Sequence, residues 1–344
     1  MKRLYMLTLC SIGLAACIFF FKKRIPTTIA AGEGLVIKKE WLTQNINPYT
    51  PKKDCRPADQ TFLTFPEWYL VFSPEEQANY YKQHTATTFP FMSHTAQIWE
   101  SYKIVNDQIK GNFPNNTGYH FMIWVIGSSA SVEYSIKTWY ETIIGRMTDT
   151  YEVKTEEDKF NATFTQNYVD FIKDRPWYEF DFKSRLKFLW TSTSFFGDNI
   201  LRKLERKYIL TSELAVKYAY GKLIGLGTKT VYDEALPTTA VVLENDSIQF
   251  LPRYDKFANA ITFLAKNGHS FKEVAGNNSA ILLTVLVPTS NNTNFENTQT
   301  VFTQPISSDQ TKKRIALAIP VSSLSKLLLQ LSNDKIEIEH VFDF

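Results

Sequence analysis

The chain has 344 residues, 44% of them hydrophobic and 21% charged, proportions that exclude a largely disordered protein. Its formal net charge is +3, with Lys and Arg spread evenly among Asp and Glu. The basic face of a nucleic-acid binder is therefore missing, and a nucleic-acid partner is not expected.

Residues 4–21 carry no charge and are flanked by Lys2 and Arg3 before and by Lys22, Lys23 and Arg24 after. Eighteen residues at 1.5 Å each make about 27 Å of helix, close to the hydrocarbon thickness of a bilayer. The basic clusters can reach the two headgroup layers. Residues 1–24 are read as a retained single-pass anchor, so a membrane is the first expected partner. Leu14-Ala15-Ala16-Cys17 also resembles the lipobox of bacterial lipoproteins, which implies lipidation at Cys17. Ile18 to Phe21 continue the apolar run where such a protein turns polar, and they fit a removable signal peptide equally badly. Basic charge lies on both sides, so orientation is open. The signal-like start favours export of the body from a bacterial inner membrane.

Residues 25–60, with Pro26, Pro48, Pro51 and Pro57, read as a stalk or linker. Cys55 is the single cysteine of the body, so no internal disulfide is available there. Residues 61–233 read as a helical domain. Ser73-Pro74-Glu75-Glu76 carries a helix-start signal. A second helix is expected over 93–110 and a third over 119–144. A fourth starts at Thr155-Glu-Glu-Asp158 and ends at Arg175-Pro176. A fifth runs from Asp198 toward Gly221. All seven Trp precede residue 191, which implies either an aromatic-packed core or a surface at a lipid interface.

Residues 234–344 change pattern: a strand at 238–244, a helix at 254–266, then a hairpin of 269–274 and 280–287 about Asn277-Asn278. Strands at 314–319 and 335–342 flank a helix at 324–331. This order resembles the ferredoxin-like α+β sandwich, a likeness of fold that implies no activity. The fold class is thus α+β: an anchor, an aromatic-rich helical domain and a ferredoxin-like sandwich.

No nucleotide, nucleophile-elbow or metal motif occurs, and the five His never fall at ligand spacing. No cofactor, metal site or catalytic residue is therefore assigned. In the third helix, Tyr119 to Ile126 is apolar on every face and is expected at the buried centre of a bundle, a shallow dip into the bilayer being the other reading. Beyond it Val132, Ile136, Trp139 and Ile143 share one stripe. Glu133, Lys137 and Glu141, four apart, read as a solvated face.

Candidate ligand-binding residues are His120 and two segments that set carboxylates beside aromatic rings: Glu67, Trp68 and Tyr69, then Trp177, Tyr178, Glu179 and Asp181. Desolvation there would raise a carboxyl pKa. Arg202 and Arg206, one turn apart, form either an anion clamp or a solvated face. The expected function is a non-catalytic binding or scaffold module of the bacterial cell envelope, engaging a protein partner or an apolar ligand. The alternatives are a membrane-bound hydrolase using these carboxylates, or a lipid-handling protein. A hydrolase requires Glu67 beside Glu179 or Asp181 in one cleft; a scaffold requires an exposed apolar patch.

Overall fold

Apolar side chains at helical spacing carry the first half of the chain into helices α1 (Gln60–Gln83), α2 (Phe91–Ile109), α3 (Thr117–Tyr140), α4 (Glu156–Ile172), α5 (Phe182–Ser192) and α6 (Ile200–Tyr232). The computed structural model describes residues 30–31, 37–150, 153–232, 237–291 and 294–344, so the apolar segment 4–21 with Cys17 lies outside the described residues. No described helix is long and apolar enough to cross a membrane.

Two of these helices depart from their expected ends. Helix α1 runs straight through Pro66 and Pro74, each of which removes one backbone donor at a cost of about 3 kcal/mol. Ser73 starts nothing; buried, it shares a 2.6 Å hydrogen bond with Tyr134 OH. Burial of Phe62, Phe65, Tyr69 and Phe72 along one unbroken face, at roughly 1.5–3 kcal/mol each, outweighs the lost bonds. Helix α6 likewise passes Gly221, where a side chain would press on the Tyr178 carbonyl. That glycine serves a close helix contact and not a stop. The fourth start is as expected: Thr155 and Asp158 form a reciprocal capping box.

The strands are β1 (Ala30–Ala31), β2 (Thr238–Leu243), β3 (Ile248–Pro252), β4 (Phe271–Val274), β5 (Ala280–Pro288), β6 (Gln299–Pro305), β7 (Lys312–Pro320) and β8 (Glu337–Val341), with helices α7 (Asp255–Lys266) and α8 (Val321–Asn333) between them. The chain is thus α+β, with two antiparallel sheets ordered β3-β2-β4 and β1-β6-β7-β5-β8. The expected hairpin about Asn277 does not form: β4 pairs with β2, while β5 pairs with β7 and β8. A ferredoxin-like sandwich would hold those strands in one sheet.

The five-stranded sheet is buried on both faces. Ile281, Leu283, Val285, Ile315, Leu317 and Ile319 point into a core shared with α7 and α8. Ala280, Leu282, Ala316 and Ala318 point the other way, toward α1. These smaller side chains leave room for rings, and Phe65 sits edge-on to Phe302 at 4.7 Å. That core joins Ile37 and Leu42 to Phe342. Residues 37–59 lie along the body: Asn45, Tyr49 and Thr50 all donate to the Glu273 carboxylate at 2.9–3.0 Å.

Candidate functional site

The candidate residues of α1 point three ways. Glu67 accepts from Tyr119 OH, and burial pushes its pKa up. The buried Trp68 ring lies 3.8 Å from that of His340. Tyr69, fully buried, bonds His94 Nδ1 at 3.0 Å and Gln97 Oε1. Half-buried His120 bonds Tyr102 OH at 2.9 Å through Nδ1.

Far along the chain, Trp177 stacks on Tyr220, Tyr178 packs under Gly221 and Gly225 of α6, and Glu179 is exposed. Asp181 is exposed too and caps α5, accepting from Ser184 N at 3.0 Å and Ser184 Oγ at 2.6 Å. Those bonds hold its carboxyl below the usual range. Glu67, on α1 beside Tyr119, shares no partner with either of the other two acids. A hollow of about 530 Å³ is lined by residues between Gln44 and Ala58 and by Gly276, and contains none of the ten candidates. Among the described residues no three His, Cys, Asp or Glu are placed to hold a metal.

Arg202 and Arg206 are neither solvated nor open to an anion. Both are essentially fully buried, and carboxylates of the chain already fill their forks. Arg202 meets Asp158 at 2.9 Å and Glu205 at 3.3 Å. Arg206 meets both oxygens of Glu141, at 2.7 and 3.0 Å, and Glu205 as well. Lys203 and Lys207 are buried against Glu157, at 3.6 and 3.7 Å. Glu141 opens a π-helical turn, Glu141–Gly145, at the end of α3. A Cβ at Gly145 would meet Glu141 Oε2, so a side chain there must push that carboxylate off Arg206.

The same inversion holds along the rest of α3. Lys137 meets Glu213 at 2.9 Å and Lys217 meets Glu133 at 3.1 Å. Burial alone would raise the Glu133 carboxyl, but Lys217 and Lys137 outweigh it and bring it to about 2. Of the set expected to face water, Lys137 and Glu141 turn toward α6, while Glu133 pairs with Lys217 from the rim with 38% of its side chain exposed. The stripe faces out instead: Val132, Ile136 and Trp139 are each more than half exposed, as are Phe121 and Trp124. The expectation of a buried bundle centre at 119–126 is corrected accordingly.

Between Thr117 and Ile143 no exposed residue is charged, and none is from Ile200 to Tyr220 on α6; these stretches are about 39 and 30 Å long. The ion pairs 133–217, 137–213 and 141–206 show α3 and α6 running antiparallel. Val132, Ile136 and Val216 each precede a residue of these pairs by one position, about 100° round the helix. In an antiparallel pair that rotation leads to the same side of both helices. The two apolar strips therefore meet along one side of the pair and continue round its outer flanks through Phe121, Trp124, Leu204 and Tyr208, together on the order of 500 Å² or more from helix dimensions, at the upper end for a monomer's largest patch. Phe188, Trp190, Phe195 and Phe196, on α5 and the turn after it, are exposed as well.

A second buried polar group was invisible in the sequence because its two halves, Glu76 with His94 and Arg314 with Glu339, lie more than 200 residues apart. Arg314, on β7, bonds Glu76 of α1 at 3.2 Å and Glu339 of β8 at 2.6 Å. His94 stands 3.6 Å from Glu76. Burial pushes the Glu76 carboxyl up to about 7 and the His94 imidazole down to about 3. His340 is buried among Trp68, Phe72 and Phe342 with neither ring nitrogen hydrogen-bonded, and its pKa falls to about 3 through burial and then Lys173. A folded-state pKa below the unfolded value of about 6.5 makes the folded form favour neutral imidazole. Its contribution is present above that pH and is lost as pH falls. Going from about pH 7.5 to about pH 5 should cost about 2 kcal/mol through this one group, so urea midpoints of His340→Phe should fall less with acid than those of the parent. Equal acid slopes for the two would show that His340 is protonated in the folded chain.

Comparison with protein families, with curated proteins and with solved structures returns no match.

Proposed function

We propose that this chain is a membrane-tethered, non-catalytic binding module of the bacterial envelope, held by residues 4–21, and that its working surface is the joint apolar face of α3 and α6. One observation carries the reading. Over most of both helices the charged side chains turn inward and pair, while the outward positions are uncharged and largely apolar for tens of ångströms. In water the opposite arrangement is favoured, since each exposed Trp, Phe or Leu forgoes burial energy. Large uncovered patches of this kind mark interaction sites. The basic-flanked apolar segment supports the tether, and its signal-like start supports export of the body.

The test places a photo-crosslinking benzoylphenylalanine at Ile136 or Leu204 of the full chain in cells, with Phe263 as control. Phe263 is 64% exposed and lies on α7, outside this face. Irradiation should give discrete adducts at 136 and 204 and none at 263. Yields at the two face positions no higher than at 263 would retire the reading.

A further inference from the structure

We infer that the occupant of this face is a lipid surface, with α3 and α6 lying flat in the headgroup–acyl boundary of the membrane that holds the anchor. The inference rests on the binding reading above and names its partner. Three further observations favour lipid over a protein.

The first is shape. Apolar strips about 30–40 Å long match the length of helices resting along an interface. No described helix is apolar enough to cross the bilayer, and the inward sides of both are occupied by ion pairs. One side is therefore left for hydrocarbon contact.

The second is composition. Trp124, Trp139 and Trp190, with Tyr208 and Tyr220, stand out on or beside the face, and these amphipathic rings favour the membrane–water boundary. Within Thr117–Thr148 and residues 181–226, the exposed charged residues are Arg146, Lys183, Lys187 and Lys222 against Asp181 and Asp198. Such a fringe suits anionic headgroups.

The third is the tether. Ala30 is already paired with Thr303 of β6, and nine residue steps from Phe21 to Ala30 span at most about 30 Å. A body leashed that closely meets the bilayer at high effective concentration, so weak apolar contacts suffice to seat it.

The experiment uses the full chain reconstituted in vesicles of phosphatidylcholine with phosphatidylglycerol, carrying benzoylphenylalanine at Ile136, Leu204 or Phe263. Adduct masses are read after irradiation. Lipid adducts should be several-fold more abundant at 136 and 204 than at 263, and Ile136→Glu should remove those at 204. Lipid labelling equal at all three positions, chain–chain adducts at 136 and 204, or no adduct would each overturn the inference. Chain–chain adducts here, or protein adducts in cells, would retire the lipid partner and leave the binding reading standing. Blank results at both face positions in cells would retire both.

Discussion

Replacing Arg206 with Met should destabilise the protein by about 3–5 kcal/mol, the cost of leaving a buried charge without its partner. Arg206 bonds both oxygens of Glu141 and also reaches Glu205, and all three side chains are buried. Burial by itself would lower the guanidinium pKa, but the two carboxylates hold it above its usual value. Methionine fills much the same volume and leaves Glu141 facing an apolar wall. The loss should appear as a lower urea midpoint in mild detergent, and adding Glu141→Gln should recover part of it by removing the stranded charge. A change below about 1 kcal/mol would mean that water reaches the cluster and screens it as at a surface.

Phe65→Ala should cost a similar amount, about 3–5 kcal/mol, as large-to-small changes at buried aromatic positions do. The ring has no exposure and touches Tyr69, Phe72, Phe302 and Phe342, so it joins α1 to both β6 and the segment after β8. The diagnostic is how the loss is shared. Helical and sheet signals should shift to lower denaturant together, because one side chain serves both layers. A shift of the helical signal alone would show that the sheet and its two covering helices stand without α1.

What the sequence conveyed divides by range. The Thr155 capping box and five strands of the second half rest on neighbours in the chain and formed nearly where expected, whereas β3 and β6, whose residues alternate less clearly, were not expected. The spacing of Val132, Ile136, Trp139 and Ile143 correctly placed them on one helix face. Periodicity says which residues share a face, however, and not which face turns inward. Glu133 and Lys137, four apart, look alike whether they pair in water or against Lys217 and Glu213 of a second helix. Solvated charge is the commoner arrangement, and at α3 the pairing of Lys137 with Glu213 reverses it. Ser73-Pro74 is a sound local start signal, overridden by the continuous packing of Phe62 through Phe72. The Asn277 turn is also real, but a turn does not reveal that β4 and β5 leave for different sheets. Glu76, His94 and Arg314 could not be associated beforehand, since nothing in their own neighbourhoods announces a partner on another element.

The two-sided burial of the five-stranded sheet bears on how the chain is made. Helix α1 is synthesised early, yet its aromatic face waits for Phe302, the small residues of β5 and β7, and Phe342, which leave the ribosome more than 200 residues later. Thr61 repeats the delay at a single group: its hydroxyl donates to the Phe342 carbonyl and accepts from Leu282 N–H. Contacts so distant in sequence form slowly, and their apolar partners stand uncovered meanwhile. Nascent chains halted before β8 should hold Phe62, Phe65, Tyr69 and Phe72 open to chaperones, and release them once the last strand closes the sheet.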